Sequence, residues 1–252
     1  MKRIPNLLIL LVVSLCFCSV PVFAESVGTE LLLLVDTSGS ISSGEYTLQK
    51  GGYVSAFQDA TIQAAIAART NGIAVAYAEW SGGSQQTLAV GWTKLTDAAS
   101  ANAFAAAIAG VSRSFAGLTA PASAINWGVP LFSSNDFDGL SRVIDVSGDG
   151  SRNDGAIDTA AAAAAALLAG IKVNGLPILA EEIGIQAWYQ NNIVTPGGGF
   201  LVPAEDFTSF EGAVTTKIGR EITAVPEPAT MLLLGSGLIG LAGYARRKFH
   251  KK

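Results

Sequence analysis

Apolar residues along this chain follow two different spacings. Short continuous runs, such as Leu31 to Val35, are typical of strands that are buried on both faces of a sheet. The segments between these runs repeat apolar residues at helical spacing, which is typical of helices that cover a sheet. The predicted strands are residues 31–35, 72–80, 86–92, 142–147, 171–179 and 200–202. The predicted helices are residues 43–57, 59–69, 97–109, 120–132, 154–169, 181–190 and 206–222.

The alternation of strands and helices predicts an α/β fold. We expect a doubly wound, mostly parallel six-stranded sheet with helices on both faces. Residues 86–92 follow the preceding strand after a short turn at Gly82 and Gly83, which favours one antiparallel edge strand. In the strand order 3-2-1-4-5-6, the first and fourth strands are neighbours where the order reverses. Gly51 and Gly52 interrupt the first helix, and we expect them to permit close packing on the sheet.

An oxygen-rich segment follows the first strand. Asp36, Ser38 and Ser40 stand at alternate positions directly after the apolar run. Ser42 can cap the next helix, because Glu45 stands three residues further on and can bond back to it. Open α/β sheets bind ligands at the carboxyl ends of their strands, so the three oxygens are candidate metal ligands. The alternative is that they form only a turn and a helix cap, where Asp and Ser are also favoured.

This spacing, Asp36-x-Ser38-x-Ser40 after a buried strand, resembles the metal-ion-dependent adhesion site (MIDAS) of von Willebrand factor type A (VWA) domains. These domains have a Rossmann-like fold. The resemblance implies two further ligands, Thr119 at the start of a helical segment and Asp149 after the fourth strand. All five side chains offer hard oxygen donors, which suits Mg²⁺, with Mn²⁺ as an alternative.

Residues around the fourth strand need separate interpretations. Gly148 stands where the VWA family commonly has a threonine, and this departure leaves the ligand specificity open. Asp145 lies between apolar residues, where a carboxylate is costly unless it is paired. We expect a structural role for it, paired with an arginine such as Arg142. The alternative is that it hydrogen-bonds the loop serines and so supports the metal ligands. Asn153 and Asp154 are interpreted as the cap of the next helix, and the alternative is that they shape the rim of the site.

The two ends of the chain are predicted to be targeting segments. Residues 1–24 have a basic start, an apolar middle and a small residue at the end, as in a secretory signal peptide. Residues 225–252 combine a Pro-Glu-Pro motif, a predicted transmembrane helix at 229–245 and a basic tail. This arrangement resembles the PEP-CTERM sorting signal of Gram-negative bacteria, which an exosortase processes. The resemblance implies export across the inner membrane, anchoring in the membrane until sorting, and then a cell-surface or extracellular location.

The predicted VWA-like domain between these segments, residues 25–224, is strongly acidic. Nine basic and 19 acidic residues lie between Glu25 and Val225, which gives this region a net charge of −10, against −4 for the whole chain. Such a charge argues against nucleic acid as a partner. Both cysteines and the single histidine lie in the targeting segments, so the domain has no thiol and no Ser-His-Asp triad. We therefore expect that it is not an enzyme.

Taken together, these features predict a secreted or surface-anchored binding module. A metal held by few anionic ligands stays electrophilic, so the expected partner is a protein or matrix component that offers a carboxylate. The alternative is a structural protein of the exopolysaccharide matrix, in which the metal only stabilises the fold. A metal-dependent hydrolase is a third hypothesis, and the lack of His, Cys and paired catalytic carboxylates in the domain argues against it.

Overall fold

A computed structural model describes residues 24–224 of the chain. The strands are β1 (Glu25–Val27), β2 (Thr29–Asp36), β3 (Ile73–Trp80), β4 (Gln86–Leu95), β5 (Phe137–Gly139), β6 (Arg142–Gly148) and β7 (Lys172–Pro177). The helices are α1 (Ser43–Gln58), α2 (Ala60–Ala67), α3 (Ala98–Ala109), α4 (Pro121–Gly128), α5 (Thr159–Leu168), α6 (Ile185–Asn192) and α7 (Phe210–Thr223). A 3₁₀ turn, Val129–Phe132, extends α4.

A mixed five-stranded sheet forms the centre of the fold, in the order β4-β3-β2-β6-β7. The pairs β2–β3, β2–β6 and β6–β7 are parallel, whereas β3 and β4 are antiparallel. The prediction that the first and fourth predicted strands are neighbours is thus confirmed, as is the antiparallel edge strand. A second small sheet, which no sequence pattern predicted, pairs β1 with β5 in parallel.

The prediction of six strands in the main sheet is wrong. Residues 200–204 run beside β7 but pair with it only at two isolated bridges, which flank Pro177. A continuous ladder would need an N–H group from Pro177, and proline has none. The segment predicted as the last strand, residues 200–202, therefore stays an interrupted edge of a five-stranded sheet.

The first helix begins as its capping signal predicts. The backbone N–H of Ser42 donates to Glu45 Oε2 at 2.7 Å, and the N–H of Glu45 donates to Ser42 Oγ at 3.3 Å. These reciprocal bonds satisfy two N–H groups that the first turn of a helix leaves free. The cap thereby fixes where the chain leaves the loop that follows β2.

Two later helices begin several residues after their predicted starts. Asp158, rather than Asn153 or Asp154, caps α5, because its side chain accepts from the N–H of Ala161 at 3.0 Å. Before α6, Gly184 has a left-handed φ of 87°, a conformation that cannot continue a right-handed helix. As a result, the segments after β6 and β7 are loops at the carboxyl edge of the sheet.

The core consists of two apolar layers on either side of the sheet. Along β2, Leu31, Leu33 and Val35 pack into the layer beneath α1, α2, α3 and α7. Leu32 and Leu34 point the other way, into the layer beneath α4, α5 and α6. Alternate residues of a strand face opposite sides, so a continuous apolar run serves both layers. The predicted placement of helices on both faces is confirmed.

A buried ionic cluster fastens α7 to the sheet. Lys217 Nζ lies 2.5 Å from Asp145 Oδ1 and 2.6 Å from Glu221 Oε1, and Asn174 Nδ2 donates to Glu221 Oε1 at 2.8 Å. Asp145 thus has the structural role predicted for it, but its partner is Lys217 and not Arg142. Burial, with Asp145 next to it, raises the pKa of Glu221 to about 7. Arg142 instead pairs with Glu30 and Asp138.

Candidate metal site

The loop after β2 holds three of the five predicted ligands in one turn. Asp36 is the last residue of β2, and its Oδ1 accepts from the backbone N–H of Ser38 at 2.7 Å. The hydroxyl oxygens of Ser38 and Ser40 lie 3.2 Å apart. The acidic side chain therefore fixes the turn, and the turn places the two hydroxyls side by side.

Asp149 joins this loop from the neighbouring strand. It follows β6 directly, and Ser40 Oγ donates to Asp149 Oδ1 at 2.9 Å. The strand order makes this contact possible, because β2 and β6 are adjacent and end at the same edge of the sheet. Four predicted site residues thus lie in one hydrogen-bonded group: Asp36, Ser38, Ser40 and Asp149.

Thr119 reaches the same edge from the segment before α4. Its N–H donates to Asn153 Oδ1 at 2.7 Å, and its carbonyl accepts from the N–H groups of Asn153 and Asp154 at 3.0 and 3.1 Å. A Cβ atom added at Gly150 would lie 3.9 Å from Thr119 Oγ1, so the hydroxyl lies beside the loop after Asp149. Asn153 was interpreted as a helix cap, and it instead holds a predicted ligand.

The electrostatics of the site are those of two facing carboxyl groups. Burial, and then the nearby Asp149, raises the pKa of Asp36 to about 8, although hydrogen bonds from Ser38 and the charge of Arg113 act in the opposite direction. Burial also raises the pKa of Asp149, and Glu181 and Glu45 add to this effect. Without a cation, ionisation of both groups is therefore less favourable than it is for a carboxyl group in water.

Two carboxylate oxygens at this site are buried without a hydrogen-bond partner among residues 24–224. They are Asp36 Oδ2 and Asp149 Oδ2. Buried polar atoms are nearly always satisfied, so an unpartnered pair at one site fits a place where a cation or an ordered water binds. Within the same residues, no group of three or more His, Cys, Asp or Glu side chains could hold a metal. A cation here would therefore depend on the serine and threonine hydroxyls as well as on the two carboxylates, and hard-oxygen donors of this kind fit Mg²⁺.

Arg113 supports the site, although it was not among the residues predicted from the sequence. Its Nη2 donates to the carbonyls of Thr37 and Ser38 at 2.9 and 2.7 Å, and so fixes the backbone of the ligand loop. A lone arginine in a loop carries no sequence signal for this role. Glu182, on the loop after β7, accepts from the N–H of Ser151 at 2.7 Å and holds the loop after Asp149.

Comparison with protein-family models gives two matches. The model described as "Protein of unknown function (DUF1194)" matches residues 26–226, and the model of the PEP-CTERM protein-sorting motif matches residues 224–248. The predicted sorting signal is thereby confirmed.

The predicted signal peptide and the predicted transmembrane helix at 229–245 lie outside the described residues. No helix between residues 24 and 224 has the length and apolar character that crossing a membrane requires. No curated protein sequence matches the chain significantly.

Several solved structures share the fold. Proximal thread matrix protein 1 from the mussel byssus is 15% identical, with a TM-score of 0.59 over 79% of this chain and 47% of that one. The pilus adhesin SpaC from Lactobacillus rhamnosus GG is 16% identical, with a TM-score of 0.56 over 81% of this chain and 32% of that one. A von Willebrand factor type A protein from Catenulispora acidiphila is 12% identical, with a TM-score of 0.54 over 77% and 43%. This chain thus spans less than half of each of these structures, and its fold is VWA-like.

Proposed function

The chain belongs to the DUF1194 family of proteins of unknown function, and we propose that it is an exported binding module that engages its partner through a divalent metal ion. The observation that carries this proposal is the pair of buried, unpartnered carboxylate oxygens of Asp36 and Asp149. They lie next to the hydroxyls of Ser38 and Ser40, on loops that the fold itself brings together. A cation would satisfy both oxygens and offset the repulsion between the carboxylates.

The residues proposed to hold the metal are Asp36, Ser38, Ser40, Thr119 and Asp149. Their oxygens are hard donors, so the preferred ion is Mg²⁺, with Mn²⁺ as the second candidate. When bound, the metal supplies a Lewis-acidic position that a carboxylate from a protein or matrix partner can occupy. Arg113 and Asn153 keep the ligand loops in place through their bonds to Ser38 and Thr119.

The sorting motif supports the proposed location. A PEP-CTERM segment at residues 224–248 supports export in a Gram-negative bacterium and processing by an exosortase. On this proposal, residues 229–245 anchor the protein in the membrane until sorting, and the binding domain then faces the cell surface or the surroundings. The names of the structural relatives agree with such a role, since they include a thread matrix protein of the mussel byssus and a pilus adhesin. One form of that matrix protein is described with a zinc-occupied MIDAS motif.

Binding, rather than catalysis, is the proposed activity. The domain has neither His nor Cys, so a histidine general base and a cysteine nucleophile are both excluded from it. The negative charge of residues 25–224 also disfavours nucleic acid. The proposed partner is therefore a protein or matrix component with accessible carboxylates.

Attachment of the source bacterium tests this function. Cells that carry Asp36→Ala are expected to lose the attachment that the wild-type protein supports, because the metal site loses its most buried ligand. Wild-type attachment should also be lost in chelator and restored by Mg²⁺. The amount of exported protein is measured in parallel by immunoblot, so that a folding defect is recognised.

Asp138→Ala provides the matched control. Asp138 is an exposed aspartate near the amino end of β6, at the opposite edge of the sheet from Asp36. Cells with this variant should attach like wild type. If Asp36→Ala cells export normal amounts of protein and attach fully, the binding function is wrong, and the matrix-structural alternative is favoured.

A further inference from the structure

A tyrosine from α6 lies underneath the candidate metal site. The side chain of Tyr189 is buried, and its hydroxyl has no hydrogen-bond partner among residues 24–224. Burial, with Asp36 and Asp149 nearby, raises the pKa of Tyr189 well above its usual range. The hydroxyl therefore keeps its proton and remains a hydrogen-bond donor directed at an acidic site.

Two glycines make room for this side chain. A Cβ atom added at Gly175 would lie 2.8 Å from Tyr189 Cδ1, so only a glycine on β7 allows the ring to pass. A Cβ atom added at Gly148 would lie 2.8 Å from the Tyr189 hydroxyl oxygen and 2.6 Å from Asp36 Oδ2. The hydroxyl and the carboxylate oxygen thus share the space that any larger residue at position 148 would need.

Two buried polar groups that each lack a hydrogen-bond partner border this space. Asp36 Oδ2 is a buried acceptor without a donor, and the Tyr189 hydroxyl is a buried donor without an acceptor. Both lie within 2.8 Å of the point where the missing Cβ of residue 148 would stand. No hydrogen bond joins them in the structure. Ionised Asp36, the form that binds a cation, is a stronger acceptor, and a bond from the hydroxyl to it would satisfy both groups.

We infer that Tyr189 is a positioning residue for the metal: in the metal-bound state its hydroxyl donates to the Asp36 carboxylate and holds it in the orientation that binds the cation. This inference rests on the proposed metal site and adds a residue that no ligand motif contains. It also gives a reason for glycine at position 148, because a larger side chain there would collide with the Tyr189 hydroxyl and with Asp36 Oδ2.

Calorimetric titration of the full chain in detergent with Mg²⁺ tests this role. Tyr189→Phe keeps the ring and removes only the hydroxyl. We expect the dissociation constant for Mg²⁺ to rise by about 10- to 100-fold, as is typical when a group that orients a metal ligand is lost. The melting temperature in chelator should not fall, because the lost hydroxyl has no partner in the metal-free fold.

Tyr77→Phe is the matched control. Tyr77 is also fully buried and its hydroxyl also has no partner, but it lies in the apolar layer on the other face of the sheet. This variant should bind Mg²⁺ like wild type. An ultraviolet difference spectrum gives a second readout: addition of Mg²⁺ should perturb a tyrosine band in wild type and in Tyr77→Phe but not in Tyr189→Phe.

The outcomes separate this inference from the proposed function. If Tyr189→Phe binds Mg²⁺ as tightly as wild type, the hydroxyl only fills space and the positioning role is overturned. The same holds if both tyrosine variants weaken binding equally. If wild type itself binds neither Mg²⁺ nor Mn²⁺, the metal site is wrong and the role of Tyr189 is overturned with it.

Discussion

The stability of the metal-free fold and the binding of a metal favour different protonation states of Asp36. It is a fully buried carboxyl group that faces a second carboxyl group, Asp149, across the ends of two strands. A buried charge without a counter-ion destabilises a fold, so the metal-free protein favours the protonated form of Asp36. Metal binding needs the ionised form, because carboxylate ligands must lose their protons.

This opposition predicts how the stability of the metal-free protein depends on pH. In the folded state, the pKa of Asp36 is raised from 3.8 to about 8, and that of Glu221 from 4.5 to about 7. The native state therefore holds protons that the unfolded chain has already released, and stability falls as the pH rises from 5 towards 8. For one such group the slope approaches about 1.4 kcal/mol per pH unit.

Urea unfolding in chelator at several pH values measures this slope. Asp36→Asn cannot ionise, so its free energy of unfolding should decrease less steeply with pH than that of wild type and should be higher at pH 8. Glu221 remains in both proteins, so a smaller slope of the same sign should persist. Wild-type stability that increases from pH 5 to pH 8 in chelator would show that neither pKa is raised.

At the scale of elements, the close approach of α1 to α7 depends on one of two adjacent glycines. A Cβ atom added at Gly52 would lie 2.7 Å from Phe210 Cδ1 and 3.3 Å from Glu211 Cα. A Cβ atom added at Gly51 meets no atom within 4 Å. The expectation that these glycines permit packing on the sheet is therefore wrong, because Gly52 packs on α7 and Gly51 packs on nothing.

The two glycines give opposite predictions for the same substitution. Gly51→Ala should stabilise the fold by about 1 kcal/mol, since alanine favours helix and no neighbour obstructs it. Gly52→Ala should destabilise it by roughly 1–3 kcal/mol, because α7 must shift. Each variant is the control for the other in chemical unfolding monitored by circular dichroism. Equal stability of the two variants would contradict the packing of α1 on α7.

Elements that are fixed by residues close together in the sequence were predictable. Features that depend on contacts between distant parts of the sequence were not. β2 follows from its apolar run, and α1 from the Ser42 and Glu45 cap. The sixth strand failed because Pro177, on a different segment, cannot donate the bond that residues 200–204 need. The partner of Asp145 could not be predicted either, since Lys217 comes from a helix far away in the sequence.

At the scale of the whole molecule, the strand order brings the candidate site together. Asp36 and Asp149 are distant in sequence but end neighbouring parallel strands, so a correct topology was sufficient to place them side by side. The residues that support them were beyond sequence reasoning. Arg113 and Tyr189 act through contacts that only the packed structure creates.

A thermal melt in the presence of metal ions tests the central claim, that this edge of the sheet binds a divalent cation. Wild type, Asp36→Ala and Asp138→Ala are compared in chelator, Mg²⁺, Mn²⁺ and Ca²⁺. Metal at a hundred times its dissociation constant should stabilise the native state by about 2.7 kcal/mol, which corresponds to roughly 5 to 11 °C for a domain of this size. We expect this shift in Mg²⁺ or Mn²⁺ for wild type and Asp138→Ala, and none for Asp36→Ala. If wild type does not shift at any metal concentration, or if Asp36→Ala shifts equally, the oxygen cluster is only a turn and a helix cap.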